Sequence, residues 1–155
     1  MSSDRIRSLR VLEKLRLSEV DKARIQVAQS LQVEKNIHLE IAKKEKDITE
    51  NASFVYDNPA GEASSGIQAL EASYREWLPK AKDILEKLQD DLKVAKENTE
   101  ARRSELIRVN ASHEAVKSLI ESELQEIKID QERKQQAEID DISRTQFLKK
   151  RRNIV

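Results

Sequence analysis

The chain contains no cysteine and has few of the residues from which turns, strands and globular cores are built. Without cysteine, disulfide bonds and thiolate metal sites are excluded. There are only two glycines and two prolines, and aromatic residues make up 3% of the sequence. Turns depend on glycine and proline, and strands favour aromatic and β-branched residues. A compact globule or a β-sheet protein is therefore not expected.

Long uncharged stretches and an excess of one charge are also missing. No stretch approaches the roughly 20 apolar residues of a membrane-spanning helix, so we expect no membrane insertion. The first residues lack the apolar run of a signal peptide, which predicts a cytoplasmic protein. The 29 basic and 29 acidic residues cancel, so no overall field attracts nucleic acid, and nucleic acid is not an expected partner.

The chain is rich in charged residues and in hydrophobic residues, most of them aliphatic. Each of the two classes makes up 37% of the sequence. This composition is typical of long helices. Disorder is the competing interpretation of so charged a chain. The apolar residues recur in phase, however, and this periodicity favours helices.

The first periodic segment covers residues 4–55 approximately and contains neither proline nor glycine. Glu13 and Glu34 interrupt its apolar stripe. The stripe comprises Ile6, Leu9, Leu12, Leu15, Val20, Val27, Ile41, Ile48 and Val55, with Leu31, Ile37 and Ala52 near the complementary position.

Residues 56–66 form the one interruption and hold both glycines and Pro59, which predicts a turn. The second periodic segment covers residues 67–150 approximately. Its apolar positions alternate steps of four and three, the a/d pattern of a coiled coil. These positions are Leu88, Leu92, Ala95, Thr99, Arg102, Leu106, Val109, His113, Val116, Ile120, Glu123 and Ile127, preceded in phase by Ile67, Leu70, Tyr74, Trp77, Ala81 and Ile84.

Two amphipathic helices joined by a short turn must pack antiparallel. The sequence therefore predicts an all-α fold, a long antiparallel two-helix coiled-coil hairpin that forms a single domain over residues 1–155. Pro79 lies inside the second helical pattern and predicts a kink there, or a separate short helix before it. The second helix is the longer one, so residues 123–155 should project past the start of the first helix or fray.

No catalytic constellation is present in the sequence. The two histidines, His38 and His113, each fall near a stripe position and are interpreted as polar interruptions that help to fix the register. No motif for zinc or phosphate binding occurs, and two helices offer no enclosed pocket. We therefore expect neither an enzyme nor a bound cofactor or metal.

The aromatic residues gather around the predicted turn. Phe54 and Tyr56 end the first segment, and Tyr74 and Trp77 begin the second. One interpretation is a small cap that closes the hairpin. The other is a docking surface, since exposed aromatic clusters are typical binding hot spots.

Basic residues gather near both ends of the sequence. Antiparallel packing brings the two sets toward each other, unless the predicted projection separates them. At the end of a helix such cations complement the helix dipole, but at its start they oppose it, which favours a binding role for the first set. The sets are Arg5, Arg7, Arg10, Lys14 and Arg16 at the start, and Arg144, Lys149, Lys150, Arg151 and Arg152 at the end.

The opening and closing segments resemble those of a known family. Residues 6–16 (IRSLRVLEKLR) and 136–151 (QAEIDDISRTQFLKKR) are similar to the two ends of the central-stalk proteins of type III secretion, the YscO family of injectisomes and its flagellar counterpart FliJ. The likeness spans the whole chain. An acidic pair followed by Phe-Leu and basic residues is its most specific part.

The resemblance implies a non-enzymatic stalk or adaptor, held at the inner membrane only through the secretion apparatus. Its paired terminal helices would enter the hexameric secretion ATPase, through Arg5, Arg7, Arg10, Lys149, Lys150, Arg151 and Arg152. The other end would reach the cytoplasmic domain of the export gate. Residues 74–78 (YREWL) resemble the gate-binding segment, which implies contacts through Trp77, Ala81, Ile84 and Leu88. Capture of free secretion chaperones is also implied.

Two other functions remain open from the residues alone. A structural scaffold that self-associates into a helical bundle would explain the apolar residues off the main stripe, namely Leu17, Ile25, Val33 and Leu39. Nucleic-acid binding through the basic end would show a strong inverse dependence on salt.

Overall fold

The computed structural model describes residues 2–57 and 65–153, and two helices account for nearly all of them. Helix α1 spans Ser2–Tyr56 and helix α2 spans Ser65–Asn153. The two helices pack against each other, which confirms the all-α antiparallel hairpin. The predicted turn at residues 56–66 lies for the most part outside the described residues.

Local interactions stabilise the C-terminal ends of both helices. Helix α1 contains no proline or glycine, and its last turn continues through a backbone hydrogen bond of 2.8 Å from Asp57 N–H to the Ser53 carbonyl. The Ser53 hydroxyl also donates to the Asp57 carboxylate at 2.7 Å. At its C-terminal end α2 carries Lys150, Arg151 and Arg152, whose charges complement the helix dipole.

Pro79 lies inside α2, and the helix runs through it without a break. The alternative of a separate short helix before Pro79 is therefore wrong. A proline in a helix interior costs about 3 kcal/mol. Tyr74 and Ala81, which flank it, are both buried against α1, and this packing holds the two parts of α2 in one helix.

The chain divides into two compact units. One, here called the terminal unit, comprises Met1–Asp21 and Arg108–Val155. The other, the turn unit, comprises Lys22–Ile107.

In the turn unit, the segments of α1 and α2 run antiparallel. The guanidinium of Arg102 donates to the Gln26 side-chain oxygen at 3.0 Å, and Lys44 lies over the ring of Trp77. The buried residues of this unit are small apart from one aromatic and one valine. They are Ala23, Ser30, Val55, Tyr74, Ala81, Ala95 and Thr99.

In the terminal unit the first turns of α1 lie against the middle of α2. Arg5 forms a 3.1 Å salt bridge with Glu123. The buried residues here are aliphatic, namely Val20, Val109, Val116 and Ile120. From residue 128 to 153 every residue of α2 is exposed, so the predicted projection is present, and it is helical rather than frayed.

The predicted seam of α2 is largely confirmed, since eleven of the twelve positions from Leu88 to Ile127 are buried or half-buried. Arg102 is the exception, and its side chain reaches out to Gln26 instead. Three aliphatic residues that were predicted to lie in the seam are instead exposed. They are Leu15 and Leu31 of α1 and Ile84 of α2, at 57%, 40% and 48%. The seam takes Ser30 instead of Leu31 and Leu85 instead of Ile84.

Candidate docking surfaces

Three of the aromatic residues near the end of α1 form a stack in the turn unit. The rings of Tyr56 and Tyr74 meet edge to face, with centroids 5.9 Å apart and planes at 89°. The rings of Tyr74 and Trp77 are 6.0 Å apart at 37°. Such pairs contribute about 0.5–1.5 kcal/mol beyond the area they bury. Tyr74 is buried at the centre of this stack and therefore acts as the cap.

Beside the stack lies an apolar groove of about 200 Å³, here called the aromatic groove. Phe54 stands at its edge with 62% of its surface exposed, and Trp77 is half-buried. A buried ring that closes the hairpin and an accessible apolar groove therefore lie in neighbouring residues. The groove is lined by Asn51, Phe54, Val55, Leu70, Ser73, Tyr74 and Trp77.

Lys44 places a cation over Trp77, one of the residues that line this groove, and no sequence motif marked it. Its ammonium lies 5.6 Å from the centre of a Trp77 ring, in the range of a cation–π contact. Lys44 follows Ile37 and Ile41 in steps of four and three, so it occupies a seam position. The sequence therefore marks Lys44 as a polar residue in the seam, but the structure alone identifies Trp77 as its partner.

The four residues implied for gate binding have different accessibility. Ile84 is 48% exposed, and Trp77 and Leu88 are half-buried. Ala81 is only 1% exposed, so its methyl group lies in the seam between the helices. Of the four, Trp77 and Ile84 offer most of the accessible apolar surface.

Four of the five basic residues at the start of α1 are exposed, whereas Arg16 is half-buried and pairs with Glu19 at 3.1 Å. Arg5 pairs with Glu123, whose side chain is only 13% exposed, and this contact anchors the first turn of α1 on α2. Arg7 and Arg10 are exposed to solvent. Together with Lys14, which is also exposed, they are the cations of this set that the described chain leaves available to a partner.

The basic residues at the end of α2 lie far from this first set. Lys149, Lys150, Arg151 and Arg152 are all exposed. Lys149 lies 26 positions beyond Glu123, the partner of Arg5, which corresponds to about 39 Å of helix at 1.5 Å per residue. The structure therefore does not bring the two basic sets together, because the first turn of α1 contacts α2 at Glu123, far from residues 149–152.

The two histidines have different surroundings. His38 is exposed, so its predicted place in the seam is wrong. His113 is in the seam, with a side chain 12% exposed. Its Nε2 atom is buried without a hydrogen bond and lies 3.8 Å from a Glu13 carboxylate oxygen.

Among the described residues, no group of three or more histidine, cysteine or acidic side chains could hold a metal ion. Neither described helix contains a stretch that is long and apolar enough to cross a membrane.

Comparison with known proteins gives one match. The family model of the flagellar FliJ protein matches residues 5–152. No curated protein matches the chain, and no solved structure matches it. Because the family model covers almost the entire sequence, and the fold is the expected helical hairpin, the chain belongs to the flagellar FliJ protein family, which is a family of non-catalytic components of the flagellar and type III export apparatus.

Proposed function

We propose that this chain is a stalk of the flagellar export apparatus that docks to the export ATPase and to the cytoplasmic domain of the export gate. The observation that carries the proposal is the presence of two exposed surfaces of different chemistry. One is the apolar aromatic groove in the turn unit, and the other is the fully exposed basic run at residues 149–152 in the terminal unit. Neither surface offers catalytic groups, so both suit binding.

The aromatic groove suits the gate because it combines an accessible ring with a rigid floor. Tyr74 and Val55 are buried and hold the floor in place, while Phe54 is exposed at the edge. A preformed apolar groove takes up a side chain of a partner at low entropic cost. Trp77 and Ile84 extend this surface along α2, with Ala81 and Leu88 supporting it from the seam.

The basic surface suits an acidic wall of the ATPase hexamer. The run 149–152 on α2 supplies its exposed cations, and Arg7 and Arg10 on α1, which are also exposed, lie apart from it in the same unit. Charged contacts of this kind govern the rate and salt dependence of association more than the final affinity. Docking to these partners would hold the chain at the inner membrane from the cytoplasmic side. Secretion chaperones, a further partner class that the family suggests, can be added to the same experiments.

The gate contact is tested by capture of a purified gate cytoplasmic domain on the immobilised full chain. For Trp77→Ala and Phe54→Ala we expect the affinity to fall by about 30-fold each, the effect of a hot-spot aromatic. Val94→Ala, which removes a 64% exposed side chain outside the groove, is the matched control. Unchanged capture by both groove variants would refute the gate contact. Loss of helical circular dichroism would instead assign both residues to the cap.

The ATPase contact is tested with a variant in which four basic residues at the end of α2 become glutamine. We expect this variant to capture less of the purified ATPase at low salt than the parent chain does. Its capture should also fall less as salt is raised, because salt screens exposed charges over about 8–10 Å and fewer such charges remain. A second variant removes the same number of exposed cations from the turn unit and should bind normally. Equal loss in both variants would show that only net charge matters. The test variant changes Lys149, Lys150, Arg151 and Arg152, and the control changes Lys80, Lys82, Lys93 and Lys96.

A further inference from the structure

The last part of α2, residues 128–153, is a helix that no other described part of the chain covers. We call it the tail helix. Every one of its residues is exposed, and none of its charged side chains forms a salt bridge in the described chain. In proteins most helical stability comes from packing of an apolar face rather than from helix propensity. A tail helix of this length therefore calls for a partner.

The middle of the tail helix, residues 135–147, has one face without charge. Three apolar side chains lie on it, Ile139, Ile142 and Phe147, which are 55%, 59% and 64% exposed. At 100° per residue they span an arc of about 140°. Between residues 135 and 147 all four charged side chains fall outside this arc. They are Glu138, Asp140, Asp141 and Arg144.

This uncharged arc is not a continuation of the seam that packs against α1. Steps of seven from Ile127 lead to Lys134 and Asp141, both of them charged and exposed. Ile139 and Ile142 lie on another side of the helix. The arc is therefore suited to a helix other than α1.

The charges of the tail helix are divided between its two halves. Residues 130–141 contain five carboxylates and two basic side chains, a net charge of −3. Residues 142–153 contain five basic side chains and no acidic ones, a net charge of +5. Two helices with this division of charge are electrostatically complementary when they lie antiparallel.

We propose that the tail helices of two copies of this chain pair antiparallel through the uncharged arc. A two-fold axis between residues 140 and 141 places Ile139 of one copy opposite Ile142 of the other, at both sides of the axis. The same register places Glu132 opposite Lys149, and each basic half lies along an acidic half, so a paired chain does not present residues 149–152 to the ATPase. A parallel pair would instead set five cations beside five, which disfavours it.

The pairing is tested first by sedimentation equilibrium of the full chain over a range of concentrations. We expect a monomer–dimer equilibrium whose dissociation constant rises by more than about 100-fold in Ile139→Gln plus Ile142→Gln, since four buried isoleucines leave the interface. Glutamine is a good helix former, so the tail should remain helical. Leu148→Gln is the matched control, because Leu148 is 51% exposed on the opposite side of the tail helix. A wild-type chain that stays monomeric at all concentrations overturns the proposal.

Charge reversal tests the register. Lys149→Glu plus Lys150→Glu should abolish the dimer, and addition of Glu132→Lys and Gln131→Lys to the same chain should restore it. A restored dimer is expected only if the two halves face each other. Failure of the restoring changes to recover dimerisation would refute this register.

Orientation is tested by distance measurement between spin labels, because the chain has no cysteine of its own. A label at Lys128→Cys in each copy should give a separation of about 38 Å, the length of 25 helical residues. A separation near 10 Å would show parallel pairing and overturn the proposal. If the chain is monomeric, and the two isoleucine substitutions instead abolish capture of the ATPase, then the arc serves that partner and self-pairing is refuted.

Discussion

Replacement of His113 by leucine should stabilise the hairpin. His113 occupies a seam position one turn from Val109 and one turn from Val116, both of which are buried. Its Nε2 atom is buried and has no hydrogen-bond partner. The nearest carboxylate oxygen, on Glu13, is 3.8 Å away, and the contact is an ion pair only when the imidazole is protonated.

Three effects of the substitution can be compared. Relief of an unsatisfied buried polar atom is worth about 1–3 kcal/mol. Burial of a leucine in place of the imidazole adds part of the about 1.5–3 kcal/mol that a fully buried leucine contributes. Loss of the ion pair costs at most about 1 kcal/mol, because the Glu13 side chain is 33% exposed and remains solvated. The balance is a stabilisation of about 1–3 kcal/mol, which for a chain of this size raises Tm by about 2–12 °C.

Thermal unfolding followed by circular dichroism at neutral pH measures this change directly. His38→Leu is the matched control, because His38 is exposed and the same substitution there buries nothing. Its stability should stay within about 0.5 kcal/mol of the parent chain. The reasoning would be refuted if His113→Leu lowered Tm, or if the two variants gained stability equally.

Further substitutions test the packing that the structure assigns. Leu85→Asp should destabilise the chain by several kcal/mol, about the cost of an unpaired charge in a packed seam, whereas Ile84→Asp should have little effect on Tm. The reverse order would show that Ile84, and not Leu85, faces α1. Val20→Ala should cost about 1–3 kcal/mol in chemical denaturation, since Val20 is 1% exposed, and Val11→Ala, at 65% exposure, should cost almost nothing; equal effects would contradict the seam of α1. Pro79→Ala should raise the free energy of unfolding by up to about 3 kcal/mol, because alanine restores the backbone N–H that proline lacks in the interior of α2. An unchanged free energy of unfolding would mean that Pro79 causes no strain in α2.

The candidate surfaces were only partly predictable. The gathering of aromatic residues near the turn and of cations near the chain ends is visible in the sequence. The aromatic groove also needs Leu70 and Asn51, which no motif marks. Which of the implied gate residues are accessible was equally hidden, since Ala81 and Ile84 differ in burial only through the rotation of α2 against α1.

The existence of two helices, their approximate bounds and the seam of α2 were determined by the sequence itself. These features depend on local properties, namely the near absence of proline and glycine and the steps of three and four between apolar residues. The tertiary structure alone decided which of two neighbouring residues enters the seam, as with Ser30 and Leu31, or with Leu85 and Ile84. One residue of rotation turns a helix face by 100°, and the choice is made jointly by all the side chains that both helices bury. The sequence predicted that the end of α2 projects, whereas the place where the exposed part begins was fixed only by the contact of the first turn of α1 with Glu123.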